Sequence, residues 1–353
     1  MGALTRAEAL VGAVPPVRRR MTAAALSFGI LAVAACALAP LVGSTPIDVR
    51  RAWDPSIAFS DNVDAQIFFV ARLPRVLSAA LVGSSLAAAG VVFQALLRNP
   101  LATPFTLGVS AGAALGAMLA ITLGVTFAIG PLGTVPLASF VGSLAAVCIV
   151  YLLATARHRG FSTNVMLLAG VTLNAFFSAL ILFLQYFADA TQTMRTVRWL
   201  MGDLDVASYG PILAALPLIA IAIVTFAWLA RALNLLVLGP EQAEARGIDV
   251  LRAQRIAFVS ASLATGAAVS VGGPIGFVGI VVPHLVRLLV GSDHRVLLPS
   301  ASLFGGTFLI ACDLVSRTVM APLELPVGIV TAVIGGPFFL WLLISRGAGG
   351  SGQ

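Results

Sequence analysis

The stretch that decides the fold is IAFVSASLATGAAVSVGGPIGFVGIVVPHLVRLLV, residues 256–290. It carries no acidic residue and no arginine before Arg287. A spanning helix needs about 20 mainly apolar residues, so the stretch is long for one span and short for two. Gly272, Gly273, Pro274, Gly276 and Gly279 interrupt its middle. Two readings follow: two short spans, Ile256–Val271 and Ile275–Val290, joined by a tight re-entry, or one long kinked helix. Glycine and proline are tolerated at membrane depth where neighbouring helices or a cavity satisfy the freed backbone groups. The choice sets the number of spans, and with it the face on which the C-terminal residues emerge.

Outward from this stretch the same measure finds eight further spans. They are Met21–Gly43, Leu77–Leu97, Phe105–Leu123, Leu132–Leu153, Asn164–Phe187, Tyr209–Ala230, Val296–Leu314 and Val327–Ser345. The expected fold class is therefore an all-α polytopic membrane protein of about ten helices. Residues 21–346 form one transmembrane domain between tails 1–20 and 347–353. Composition agrees, with 59% hydrophobic and 10% charged residues over 353 positions, against about 45–50% and about 25% in soluble domains. The net charge of +7 is too dilute in apolar sequence to suit a nucleic-acid partner.

The first span follows Arg18, Arg19 and Arg20 and resembles a signal peptide, with Ala37-Leu38-Ala39 as a possible cleavage site. It exceeds the roughly 7–15 residues of a secretory apolar region, so a retained helix is expected. With the N-terminus inside, 14 of the 21 arginines and 5 of the 14 acidic residues fall on the inner face. The inner face then nets +9 and the outer face −2, as the positive-inside rule requires. Both termini are expected in the cytoplasm.

All 21 basic residues are arginine. A Walker A phosphate loop needs a lysine to reach the phosphates, so this chain holds none, and lysine nucleophiles are excluded as well. Cys36, Cys148 and Cys312 stand singly in apolar runs, as small fillers rather than a metal or disulfide framework. His158 and His294 sit beside arginines in expected loops, and His284 lacks a second ligand at helical spacing. Nothing resembles a nucleophile elbow or a zinc-protease helix. No carboxylate lies at mid-span; Asp313, Arg317 and Glu324 cluster at one external end, which disfavours an ion-coupled carrier. Gln94, Asn174 and Gln185 remain as helix–helix hydrogen bonders or cavity lining.

Two connections stand out. The external segment Ser44–Ala71 places Asp48, Asp54, Asp61 and Asp64 around Trp53. In the cytoplasmic segment Leu238–Arg255, Pro240 and Glu241 suit a helix start, Gly247 a C-cap, and Asp249 the cap of the next helix. This is a helix–glycine–helix elbow joining the two halves. Ser85-Leu86-Ala87-Ala88-Ala89-Gly90 resembles Ser262-Leu263-Ala264-Thr265-Gly266-Ala267. The likeness fits either an inverted repeat or chance recurrence of small helix-packing residues.

An ordered set of strings then resembles the permease family of iron-chelate and cobalamin ABC importers, which have the type II importer fold. It runs from Arg72-Leu73-Pro74-Arg75 through Arg98-Asn99-Pro100-Leu101-Ala102, Gly108-Val109-Ser110-Ala111-Gly112-Ala113 and Trp199-Leu200-Met201-Gly202. It continues with Ala245-Arg246-Gly247, Gly276-Phe277-Val278-Gly279, Val282-Pro283-His284, Asp293-His294-Arg295 and Glu324-Leu325-Pro326-Val327-Gly328. The resemblance covers about Arg72 to Ser345, in order and with matching spacing. It implies a homodimer of ten-helix subunits in the bacterial inner membrane, two ATPase subunits on the cytoplasmic face and a substrate-binding protein outside. ATP and magnesium would belong to the ATPase, with no cofactor in this chain.

The expected cargo is a ferric siderophore, with haem or cobalamin as alternatives within the family and an ion-coupled secondary transporter as the alternative outside it. By the same resemblance Arg72, Arg75 and Arg317 match arginines that dock the binding protein. Pro240, Glu241, Glu244, Arg246 and Gly247 match the coupling helices, at about 239–252, that dock the ATPase. Asn99, Leu101, Ser162 and Thr163 match a cytoplasmic gate; a plain helix cap is the other reading of Ser162 and Thr163.

Overall fold

A computed structural model describes residues 17–129, 132–155, 163–205 and 208–347. Ten long helices appear among the described residues, one for each expected span. They are α1 (Val17–Leu38), α2 (Leu73–Leu96), α3 (Val109–Thr122), α4 (Thr134–Thr155) and α5 (Thr163–Phe187). After them come α6 (Gly210–Leu236), α7 (Val250–Gly272), α8 (Val278–Val290), α9 (His294–Thr318) and α10 (Val327–Gly347). A two-residue strand pair, Ala128–Ile129 with Leu132–Gly133, precedes α4.

Residues 256–290 resolve as two helices rather than one kinked helix. The Gly273 amide closes α7 on the Val269 carbonyl at 2.8 Å, and Gly273 itself takes φ +67°. Pro274 has no N–H to continue the ladder. Phe277 enters α8 at φ +65°, a conformation that costs a residue with a side chain about 1–2 kcal/mol. Its ring lies over Gly335 of α10, where any added side-chain atom would collide with it. α7 starts earlier than its hydropathy implies, because Asp249 accepts from the Arg252 amide at 3.0 Å and caps it.

The core forms around α2, which packs against α6, α7, α8 and α9. Its residues from Ser85 to Leu96 are all buried. Gly90 and Gly279 allow the closest approach, since a methyl on Gly90 would strike the Gly279 carbonyl of α8. The two similar small-residue strings meet face to face here: the Ser85 hydroxyl donates to the Ala264 carbonyl at 2.9 Å. Small residues let helices approach in lipid, where van der Waals packing replaces the hydrophobic drive. α1 joins the same core through Ala24 and Phe28, whose ring meets Phe304 of α9 edge-on at 5.7 Å.

Successive helices alternate between two ends. One end gathers the α1 C-terminus, the α2 start, the α9 C-terminus and the 319–326 connection. The other gathers the C-terminal ends of α2, α6 and α8 with the N-terminal ends of α1, α7 and α9. A short amphipathic helix, Ala190–Leu200, lies between α5 and α6, closed by a reciprocal cap in which Gln192 and Asp189 each bond the other's amide.

Candidate functional site

At the first end the segment 44–71 folds into a cap. Asp48 and Asn62 cap two short helices, Val49–Ala52 and Val63–Gln66, and Trp53 meets Phe69 edge-on at 5.3 Å. Tyr209 ties α6 to it by donating to the Phe69 carbonyl at 2.6 Å. Beneath this cap the helices present a buried ion cluster.

Arg75 stands on the first turn of α2, and its Nε donates to Asp313 of α9 at 2.8 Å. Its Nη1 donates to Glu324, in the connection to α10, at 2.5 Å. Asp313 also faces Arg317 one turn further along α9, Oδ2 to Nε at 3.6 Å. That separation is electrostatic contact rather than a hydrogen bond. Arg317 donates to the Ala39 carbonyl at 2.6 Å, and Arg72 donates to the carbonyls of Pro40, Leu41 and Thr45. Four elements are thereby pinned: α2, α9, the 319–326 connection and the segment 39–45 that follows α1.

The three arginines expected to dock a binding protein, Arg72, Arg75 and Arg317, are 6%, 8% and 3% exposed. Their guanidinium groups are spent on partners within the chain, because a charge buried without a partner costs several kcal/mol. The exposed cations of this end are Arg50, Arg51, Arg195 and Arg198. Beside the cluster a cavity of ≈ 330 Å³ opens, lined by Arg75, Arg198, Asp203, Asp205 and Glu324. Burial pushes the Asp203 carboxyl above its ordinary value.

At the second end a cavity of ≈ 580 Å³ lies among α2, α6, α8 and the α9 start. Gln94 reaches across it, donating to the Gly279 carbonyl at 3.2 Å and accepting from Arg287 at 2.8 Å. Asn234 donates to Asp293 at 2.8 Å and accepts from the His294 amide at 2.9 Å, which fastens α6 to α9. Hydrogen bonds from Arg295 hold the Asp293 carboxyl well below the usual carboxylate range. Arg98, at φ +47°, and Asn99 stand at the rim. Asn99 accepts from the Leu101 amide at 2.9 Å, a turn in which the side chain replaces a backbone acceptor. Thr163 opens α5 and is half-buried, while Ser162 lies outside the described residues. Among the described residues no hydrogen bond joins Asn99 or Leu101 to Thr163.

The elbow begins at this cavity, whose lining includes Val237 and Leu238. A single turn of helix, Pro240–Glu244, is anchored by buried Ala243. Gly247, at φ +81°, bonds the Glu244 carbonyl, and Ile248 bonds the Ala243 carbonyl at 3.1 Å. This is the two-bond C-cap expected of a left-handed glycine. Pro240, Glu241, Glu244, Arg246 and Gly247 are all exposed, so the turn presents its charges outward. Gln94 proves to be both a helix–helix bond and cavity lining. The Arg287 and Asn234 links were not expected, since nothing local to either residue points to a partner.

The hemin transport system permease protein of Yersinia pestis is 39% identical over 308 residues, covering 86% of this chain and 90% of that protein. The Fe(3+) dicitrate transport system permease protein of Escherichia coli is 35% identical over 325 residues, covering 92% and 99%. A solved metal-chelate type ABC transporter in an inward-facing conformation superposes with a TM-score of 0.78 at 32% identity, covering 91% of this chain and 98% of that one. Residues 30–345 match the FecCD transport family, taking in eight of the ten helices whole and the cluster and elbow residues described above. With that span matched and relatives alike over nearly their full length, the chain belongs to the FecCD transport family.

Proposed function

We propose that this chain is the permease subunit of an ATP-binding-cassette importer, and that its cargo is a ferric siderophore. The relatives are named for hemin, ferric dicitrate and, in Halobacterium salinarum, cobalamin. Chelated metal is common to all three, and iron is common to the first two. A separate ATPase supplies the energy, since a chain without lysine has no Walker A loop of its own.

The observation that carries the reading is the elbow. One buried alanine fixes a short helix whose Glu241, Glu244 and Arg246 face outward beside a polar cavity between helix ends. A rigid charged protrusion there can transmit a push from a docked ATPase into α6 and α7. On this reading the elbow end faces the cytoplasm, and Asn99, Leu101 and Thr163 border the exit. Two copies of the chain enclose the path, through faces such as that of α5, where Leu168, Phe176, Phe183 and Phe187 stand exposed. An extracytoplasmic binding protein docks at the other end. There Arg72, Arg75 and Arg317 act indirectly, by holding the rim that it meets.

The test is reconstitution with the cognate ATPase and binding protein in vesicles. Uptake of a radiolabelled ferric siderophore that requires ATP hydrolysis is the expected result. Uptake that continues with an inactive ATPase under an ion gradient would overturn the importer reading. ATP-driven uptake of haem alone would overturn only the cargo.

A further inference from the structure

We propose that the groove between α1, α6 and α9 at the elbow end is a binding site for an anionic phospholipid. The groove has a volume of ≈ 720 Å³. Its floor is made by Ala88, Ala227 and Ala230, with Pro299 on α9 and Ile223 at its deep end. Small side chains on three facing helices leave an apolar slot that this chain does not fill. From Ile223 to Arg231 it runs about 12 Å along α6, at 1.5 Å per residue. That is most of the roughly 15 Å half-thickness of the hydrocarbon core, a depth suited to an acyl chain.

The mouth has the opposite character. Arg231 and Arg295 stand at its edge, and Met21 lines it from α1. Arg18 lies three residues before Met21 and so shares its face of the helix. Arg295 is occupied by Asp293, with Nη2 to Oδ2 at 2.7 Å. Arg231 and Arg18 are exposed and make no hydrogen bond or ion pair with any described residue. Two uncompensated cations therefore sit where a headgroup phosphate would lie above a chain in the slot. Trp228 is 68% exposed beside them, an aromatic at the level where tryptophan favours the membrane interface. A zwitterionic headgroup would bring its own cation against these arginines, whereas a net negative one meets them alone. The charge pattern thus selects an anionic glycerophospholipid over its neutral counterpart.

The test is native mass spectrometry of the full chain, released from detergent in an equimolar mixture of phosphatidylglycerol and phosphatidylcholine. Phosphatidylglycerol should be retained about thirtyfold more than phosphatidylcholine, as about 1 kcal/mol for each of the two arginines implies. Arg231→Gln should lower phosphatidylglycerol retention about fivefold and leave phosphatidylcholine unchanged. Ala227→Phe, at an exposed position in the slot, should lower retention of both. Arg255→Gln removes an exposed arginine at the same end outside the groove and should change neither. Equal retention of the two lipids by the wild-type chain would mean that protein or unselected lipid covers the groove, and would overturn the proposal. So would an Arg231→Gln effect no larger than that of Arg255→Gln.

Discussion

Removing Asp313 should destabilise the permease far more than removing Glu324, although both bond the same guanidinium. The Asp313 side chain is 1% exposed and lies 2.8 Å from Arg75, whose own side chain is 10% exposed. Glu324 is 46% exposed at 2.5 Å. Deleting one partner of a buried pair costs about 3–5 kcal/mol, because the other charge is left without compensation. An exposed pair is worth about 0–1 kcal/mol. Asp313→Ala also leaves Arg75 and Arg317 with only Glu324 between them, which adds repulsion to the loss. Reversible unfolding in mixed micelles should therefore show a loss of about 3–5 kcal/mol for Asp313→Ala and under about 1 kcal/mol for Glu324→Gln.

The decisive measurement is the double-mutant cycle of Arg75→Ala with Asp313→Ala. Contacting residues couple by about 0.5–3 kcal/mol, and a buried charge-assisted bond belongs near the top of that range. Coupling within about 0.5 kcal/mol of zero would refute the account. Arg75 would then be a free docking cation, as the family resemblance implies, and Arg75→Ala would weaken binding-protein affinity without altering stability.

Gly90→Leu should force α2 from α8, because any side chain meets the Gly279 carbonyl. A loss of about 1–3 kcal/mol is expected, and an unchanged melting temperature would contradict the packing. Glu241→Arg combined with Glu244→Arg should weaken ATPase binding about tenfold, or ~1.4 kcal/mol, with intact folding; normal ATP-driven uptake would remove the elbow from coupling. Gly247→Val places a β-branched residue at φ +81° and should cost about 1–2 kcal/mol, read as loss of uptake per ATP hydrolysed. The Asp293 carboxyl is held low by Arg295, so its contribution to stability is present above the ordinary carboxylate value and disappears as pH falls through its depressed one. Asp293→Asn should lower the melting temperature at pH 7, and the gap to wild type should narrow on acidification below about pH 4. A constant gap would refute the assignment.

The spans were legible because bilayer thickness imposes a length that apolar runs must meet. The elbow was legible because each of its signals is local. Pro240 sets a helix start, Gly247 a left-handed stop and Asp249 a cap, and all three act through backbone groups a few residues away. The helix Ala190–Leu200 escaped attention although its signal was present, since Asp189 with Gln192 is a reciprocal cap pair. At 11 residues, with sparse apolar positions, it falls short of the length and hydropathy that mark a span. The in-chain partners of Arg72, Arg75 and Arg317 were not legible, for a different reason. Arginine near a span end suits an interface anchor, a docking cation or half of a buried pair equally well, and only its neighbours in space decide among them.

From the amino-acid order alone came the membrane, the ten helices, the alternation of their ends and the elbow. Each depends on composition or on contacts within one turn of helix. The tertiary structure decided what no local pattern encodes: that residues 256–290 break into two helices, with Phe277 held over Gly335, and that Arg75 closes on Asp313 from 238 positions away. It also decided that alanines of α2 and α6 leave a slot under Arg231. Such features arise from the spacing of whole helices. That spacing is set by small residues such as Gly90 and Gly279 meeting across the core, far apart along the chain.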